Sequence, residues 1–141
     1  MLGKFAELFL FGVAPLLMGL SATAAALPAN TIFDVTWLAE DIEGRGVADN
    51  VRSTLRIGQD GKINGIGACN NYFSMASVNK TTIEIGQIGS TRKMCPPEEM
   101  EQETKFLDAL ERASSFRLDE AGKLHLMDKQ GEAVLRFARS D

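Results

Sequence analysis

The chain has 141 residues, of which 45% are hydrophobic and 24% charged, and its formal net charge is −4. A mildly acidic protein lacks the basic surface that nucleic acids and anionic membranes attract, so we expect binding to neither. The length suits a short leader followed by one domain with a single core, and the sequence shows no internal repeat or low-complexity linker.

The first 26 residues have the pattern of an export signal. Lys4 gives a weakly basic start, residues 5–20 are mostly apolar, and residues 21–26 are small. Small residues at this spacing are what a signal peptidase reads, and cleavage after Ala24 or after Ala26 fits. The remaining residues 27–141 would form one domain of about 115 residues.

An uncleaved membrane anchor is the alternative interpretation of the same segment. The apolar run is short for a span of about 20 residues, and Glu7 and Pro15 interrupt it. No cysteine follows the run, so attachment of a lipid to a lipobox cysteine is excluded. We therefore expect a periplasmic or secreted protein with no stable membrane insertion after signal cleavage.

Both cysteines, Cys69 and Cys95, lie within residues 62–97. In an exported protein two cysteines tend to pair, and the alternative is two buried free thiols. A disulfide would close a loop of about 25 residues and stabilise the fold by about 3.5 kcal/mol in the chain-entropy model.

Alternation of apolar and polar residues predicts strands in the first part of the domain. Trp37, the only tryptophan, lies in the first of them and is predicted to be a core residue. Residues 59–61 form a turn signal that makes a hairpin of the second and third strands. The predicted strands cover residues 33–38, 51–57, 62–69 and 81–85.

Two local patterns between these strands resemble binding motifs without matching them. Glu40, Asp41 and Glu43 form an acidic cluster in a predicted loop, but they lack the spacing of a calcium-binding loop. Gly65 and Gly67 lack the third glycine and the following helix of a dinucleotide site. We interpret the cluster as solvated, and the glycines as a bulge or a close approach of another group.

The second part of the domain predicts one helix and then more strands. Pro97 suits the first turn of a helix, and Phe106 and Leu110 belong to an apolar stripe at helical spacing. The helix is predicted over residues 97–112, and strands follow over residues 115–118, 123–127 and 132–137. Short strands separated by turn signals indicate a mostly antiparallel sheet.

Two motifs around the cysteines carry a family resemblance. They are Gly-Ala-Cys-Asn-Asn-Tyr-Phe at residues 67–73 and Ile-Gly-Ser-Thr-Arg-Lys-Met-Cys-Pro at residues 88–96. Together with the strand that contains Trp37 and the acidic helix, they resemble the META domain family, which includes the HslJ heat-shock-related proteins. The resemblance covers residues 33–137.

The resemblance implies a compact α+β fold, a sandwich or half-barrel of mostly antiparallel strands with one packed amphipathic helix. It also implies an envelope or secreted setting and an association with heat shock, stress tolerance or antibiotic tolerance. It brings no catalytic residue set and no cofactor. Many relatives are lipoproteins, whereas this chain lacks the lipid-attachment cysteine.

Catalytic and metal sites are not expected from the residues present. His125, the only histidine, lies between two leucines on an alternating strand and is predicted to be exposed. Cys69, Cys95 and His125 supply three zinc ligands where structural sites use four, and a Cys-x-x-Cys redox pair is absent. We therefore predict a protein that is not an enzyme and has no metal and no cofactor.

Four polar residues beside the cysteines are the candidate binding residues: Asn70, Asn71, Thr91 and Arg92. The structural interpretation, which we favour, is that their side chains satisfy the backbone of turns. The functional interpretation is a small polar surface for a partner, in which Arg92 binds a carboxylate.

Two functions follow as hypotheses. The first is a non-enzymatic periplasmic protein of stress response or envelope maintenance that acts by binding an unknown protein or envelope component. The second is an inhibitor-like module that captures an envelope hydrolase or protease through an exposed loop. Either would act as a monomer.

Overall fold

The computed structural model describes Gly3, residues 12–15, Gly19 and residues 31–140. The export signal predicted over residues 1–26, with its cleavage sites, lies outside the described residues except for the few named here. Residues 31–140 form nine strands and one helix: β1 (Thr36–Ile42), β2 (Thr54–Ile57), β3 (Lys62–Ile66), β4 (Asn71–Asn79), β5 (Thr82–Ile85), β6 (Gly89–Ser90), α1 (Pro97–Arg112), β7 (Ser115–Leu118), β8 (Leu124–Met127) and β9 (Ala133–Arg139).

The sheet closes on itself as a barrel. Eight strands follow the order β3-β2-β1-β9-β8-β7-β5-β4, and β4 pairs with β3 to complete the ring, while the short β6 is added beside β4. All pairings between these strands are antiparallel. The α+β class with one helix is confirmed, and in detail the sheet is a closed barrel rather than the expected sandwich or half-barrel. The reason is that β3 and β4 pair from Lys62↔Met75 to Ile66↔Asn71 and leave no open edge between them.

Several strand boundaries differ from the prediction, most clearly in the first strand and between β3 and β5. The first strand begins at Thr36, because Asp34 adopts a positive φ of 57° and Phe33 makes only an isolated bridge to Ile57. It continues to Ile42 through an irregularity between Ala39 and Asp41, so part of the predicted acidic loop is strand. The long strand β4 lies between the strands predicted over residues 62–69 and 81–85, where no strand was predicted.

The helix has the predicted bounds, Pro97–Arg112, and covers one end of the barrel. It packs against β1, β5 and β9. Phe106 is fully buried between Tyr72 and Phe137, with ring centroids 5.8 and 6.1 Å away in edge-to-face geometry. Within the described part of the chain, no helix combines the length and apolar composition that a membrane span requires.

Candidate functional site

A disulfide bond between Cys69 and Cys95 joins two segments at the end of the barrel that α1 covers. Cys69 lies in the turn from β3 to β4, and Cys95 lies just before α1. Their Cα atoms are 6.0 Å apart. Both cysteines are in the bond, so the alternative of two free thiols is wrong. We call residues 67–71 and 91–95, with this bond, the clasp.

A buried carboxyl group of the helix holds the first segment of the clasp. Glu103 Oε1 accepts hydrogen bonds from the backbone amides of Cys69 and Asn70, at 3.2 and 2.6 Å. Glu103 Oε2 accepts a third bond, from Asn70 Nδ2 at 2.9 Å. Charge-assisted bonds of this kind are stronger than neutral ones, so Glu103 fixes the turn to the helix independently of the disulfide.

The side chain of Asn70 links the two segments of the clasp. Its Oδ1 atom accepts hydrogen bonds from the Lys93 amide at 2.6 Å and from Thr91 Oγ1 at 3.0 Å. Its Nδ2 atom also donates to the Lys93 carbonyl at 3.3 Å. Because Asn70 is buried and its amide group is fully used inside the protein, its role in the structure is to hold residues 91–93 in place.

Gly67 is required where the helix approaches the turn. A Cβ atom at this position would lie 2.6 Å from Glu103 Oε1 and 2.8 Å from Glu103 Cγ. The Gly67 carbonyl accepts a hydrogen bond from buried Ser53, whose hydroxyl in turn accepts a bond from Gln102 Nε2 at 3.0 Å. The predicted close approach at Gly67 is therefore made by Glu103.

The outer surface next to the clasp is apolar and exposed. Of the large hydrophobic residues in residues 31–140, those with exposed side chains are Ile66, Phe73, Met75 and Met94, at 43%, 61%, 54% and 88%. All four lie between Lys62 and Pro97. On the sheet, Ile66 pairs with Asn71 and lies diagonal to Phe73, within reach of its side chain. We call these four residues, with Asn71 and Arg92, the clasp surface.

The structure divides the four candidate binding residues into two pairs. Asn70 and Thr91 hydrogen-bond to each other inside the clasp, as the structural interpretation requires. The side chains of Asn71 and Arg92 are exposed. Asn71 also accepts the Thr91 amide on its backbone carbonyl, at 3.0 Å. Thr91 is exposed as well, so Asn70 alone of the four candidates is buried.

Sequence reasoning missed the two buried polar residues of the helix, Gln102 and Glu103. Gln102 accepts the Ala48 amide at 2.7 Å and binds Ser53, so it joins the loop before β2 to the helix. A signal for both residues was present. They lie three and four positions before Phe106, so helical spacing places them on the face that Phe106 buries.

His125 is half-buried on β8, which corrects the expectation of an exposed ring. Its Nε2 atom lies 2.7 Å from Asp119 Oδ2, and its Nδ1 atom lies 3.3 Å from Arg117 Nη2. The hydrogen bond from His125, with smaller contributions from turn amides, lowers the pKa of Asp119. Both ring nitrogens are thus engaged by neighbouring side chains.

One group of potential metal ligands lies close together among the described residues. The sulfur atoms of Cys69 and Cys95 and a carboxyl oxygen of Glu99 are all within 4.8 Å of one another. Cysteine binds metals as a thiolate. Because the two sulfurs are bonded to each other, the disulfide form does not offer that ligand set.

Comparison with known proteins agrees with this architecture. A family model described as META domain matches residues 30–141. An NMR structure of a protein from Burkholderia xenovorans aligns with a TM-score of 0.62 at 20% identity, over 86% of this chain and 97% of that one. A DUF4847 family protein from Bacteroides vulgatus aligns with a TM-score of 0.50 at 18% identity, over 63% and 61%. These likenesses show the fold. No curated protein matches the chain.

Proposed function

Because the chain belongs to the META domain family, we propose that it is a non-enzymatic protein of envelope maintenance or stress response that acts by binding. The partner is a protein or envelope component, and it contacts the clasp surface. A disulfide is typical of oxidising compartments outside the cytoplasm, which supports a periplasmic or secreted location.

The observation that carries this proposal is the clustering of exposed apolar side chains. The four exposed large hydrophobics of residues 31–140 all belong to one stretch of 36 residues, 62–97. Scattered exposed hydrophobics are normal on a protein surface, whereas a cluster rimmed by polar residues marks an interaction site. Asn71 and Arg92 are exposed polar residues of the same stretch.

The clasp holds this surface in a fixed shape. Thr91 and Lys93 donate hydrogen bonds to Asn70, and a disulfide joins Cys95 to Cys69. A partner therefore meets a segment that is already ordered, so less conformational entropy is lost on binding. The disulfide leaves no free thiol at Cys69 or Cys95, which supports a role other than thiol catalysis.

The test is cross-linking in living cells from a photoreactive amino acid placed at Phe73 or Met94, followed by mass spectrometry. We expect one recurrent adduct from both positions, and none from the same probe at Glu120, in the turn between β7 and β8.

Deletion of the protein should also impair growth under heat, detergent or antibiotic challenge, with rescue by the wild type but not by a Phe73→Ser, Met94→Ser variant. An unchanged deletion strain, or adducts equally frequent from Glu120, would sink the proposal.

The inhibitor hypothesis has one observation in its favour. Met94 is 88% exposed and lies between two anchored positions, Lys93 and Cys95. A rigid exposed loop of this kind suits insertion into the cleft of an enzyme. This function predicts tight 1:1 capture of an envelope hydrolase or protease. Pull-down from periplasmic extract that recovers no hydrolase counts against it.

A further inference from the structure

The barrel is incompletely joined between β5 and β7. Strand β5 pairs with β4 along its whole length, from Ala76↔Ile85 to Asn79↔Thr82. On its other side, within residues 31–140, it pairs with β7 at Thr82↔Ser115 alone. Strand β7 begins at Ser115, shortly after α1 ends. The residues before β7 belong to the end of the helix. Within residues 31–140, therefore, no strand pairs with Ile85 on the side of β5 that faces away from β4.

The backbone of Ile85 points into this gap. Ala76, which faces Ile85 across the β4–β5 pair, donates its amide to Gly61 on the opposite side of β4. The pair is therefore non-hydrogen-bonded, and the amide and carbonyl of Ile85 point away from β4. Ile83 has the same orientation and donates to the Ser114 carbonyl at 3.1 Å. In the described range 31–140, no backbone hydrogen bond reaches the Ile85 amide.

A cavity of about 810 Å³ lies along this edge. It is bounded by β5, by Ser77 and Asn79 of β4, by residues 111–114 at the end of α1, and by residues 128–130 in the turn from β8 to β9. An added strand would lie about 4.8 Å from β5, next to the β5 residues that line this cavity. Unpaired strand edges are templates for pairing with another chain.

Three of the five charged residues that line the cavity are acidic. Glu84, Glu111 and Asp128 contribute carboxyl groups, and the carbonyl end of α1 adds partial negative charge. Of the two basic lining residues, Arg112 is paired with Asp108 and Glu43. Lys129 therefore stands against three carboxyl groups, and the cavity favours a cationic side chain.

From this edge and its charge, we propose that β5 accepts an extended segment of a partner protein as an additional strand, with a lysine or arginine of that segment in the acidic cavity. Main-chain hydrogen bonds to Ile85 supply affinity, and the carboxyl groups select basic side chains. This surface is built from elements other than the clasp surface. The inference therefore goes beyond the proposed function and does not depend on it.

The test uses a capped seven-residue peptide that alternates threonine and lysine, added to the full domain with its disulfide intact. We expect binding by NMR titration, with shifts confined to β5 and residues 111–114 and 128–130. The Ile85 amide should become protected from hydrogen exchange. The same peptide with glutamate in place of lysine, and a version N-methylated on alternate residues, should each bind about tenfold more weakly or not at all.

Variants of the protein separate strand addition from attraction by charge alone. Ile85→Pro removes the amide that faces the cavity and leaves the β4 ladder intact, because proline is tolerated on such an edge. It should weaken binding about tenfold, whereas Ile85→Val should not. Glu84→Lys should weaken binding, whereas Glu120→Lys, in the turn between β7 and β8, should have little effect.

Three results would overturn the proposal. They are no binding at millimolar peptide, equal binding of the N-methylated peptide, and unchanged affinity in a folded Ile85→Pro variant. Protection of the Ile85 amide that grows with protein concentration and without peptide would identify a second copy of this chain as the occupant instead. That result would also contradict a basic partner segment.

Discussion

At the residue scale, the clasp depends on two buried polar side chains whose hydrogen bonds are made to other groups of the protein. Glu103 and Asn70 are buried, and between them they make six of the hydrogen bonds that join the turn, residues 91–93 and the helix. A buried network of this kind rigidifies the fold when every member is satisfied, and it is costly when one is not. Small changes at these positions should therefore have large effects.

Glu103→Gln should lower the free energy of unfolding by about 1–3 kcal/mol. The replacement keeps the shape of the side chain, but it puts an NH2 group against either the clasp amides or Asn70 Nδ2, and donors then face each other. Urea denaturation gives the measurement. Glu101→Gln, on the exposed face of the same helix, is the control and should cost much less. An equal loss in the two variants would contradict the network.

The pair of Asp119 and His125 predicts a pH dependence of stability. Since the folded pKa of Asp119 lies below its unfolded value, its carboxylate stabilises the fold at pH values above about 4. That stabilisation is lost as the pH falls through the folded pKa. Asp119→Asn should therefore be less stable than the parent at pH 6, and the difference should shrink towards pH 3.

Asparagine at position 119 keeps an oxygen for the amides of Ala121 and Lys123, which Asp119 Oδ1 accepts at 2.9 and 3.0 Å. The substitution thus isolates the charge that faces His125. Denaturant midpoints measured at each pH give the comparison, with Glu120→Gln as the control. A difference that stays constant from pH 6 to pH 3 would assign the loss to something other than this carboxylate.

At the element scale, α1 is held by apolar packing as well as by polar bonds. Its buried face combines Gln102 and Glu103 with Phe106, Ala109 and Leu110. The polar pair binds the loop before β2 and the clasp, while the apolar residues enter the barrel. Pro97, the first helical residue, has no N–H group of its own that would lack a partner in the first turn.

Phe106→Ala should destabilise the domain by about 3–5 kcal/mol, because it removes a fully buried ring and leaves a cavity between Tyr72 and Phe137. Leu107→Ala, one position along and only half-buried, should cost clearly less. Thermal and urea unfolding of both variants give the comparison. If the order were reversed, the helix would be anchored by a different face from the one described.

At the scale of the whole molecule, the disulfide closes a loop with a sequence separation of 26 that contains β4, β5 and β6. The bond lowers the entropy of the unfolded chain, so its contribution does not appear as a contact in the folded state. The barrel itself closes through pairing of β3 with β4, which does not require the bond. Loss of the disulfide should therefore change stability more than architecture.

Replacement of both cysteines by alanine should lower the free energy of unfolding by about 3.5 kcal/mol. The far-ultraviolet circular dichroism of the folded state should stay close to that of the parent. In the parent, alkylation of the denatured but unreduced protein should label neither cysteine. Labelling of both cysteines would show that the disulfide is not formed.

The sequence by itself determined those features that depend on local periodicity and turn chemistry. The bounds of α1, the antiparallel pattern of short strands, the buried position of Trp37 and the family all follow from residue spacing and motifs. The Cys69–Cys95 bond followed from the predicted compartment and from the count, since two cysteines allow one pairing.

Only the tertiary structure decided the features that depend on which distant segments meet. Closure of the barrel rests on β3 pairing with β4, and the gap beside Ile85 rests on the helix leaving before β7 begins. Periodicity along the chain identifies a strand and its faces, but not the neighbours to which its backbone bonds. For the same reason, only the fold showed that Asn70 is held inside the clasp by Glu103, while Asn71 and Arg92 face outward.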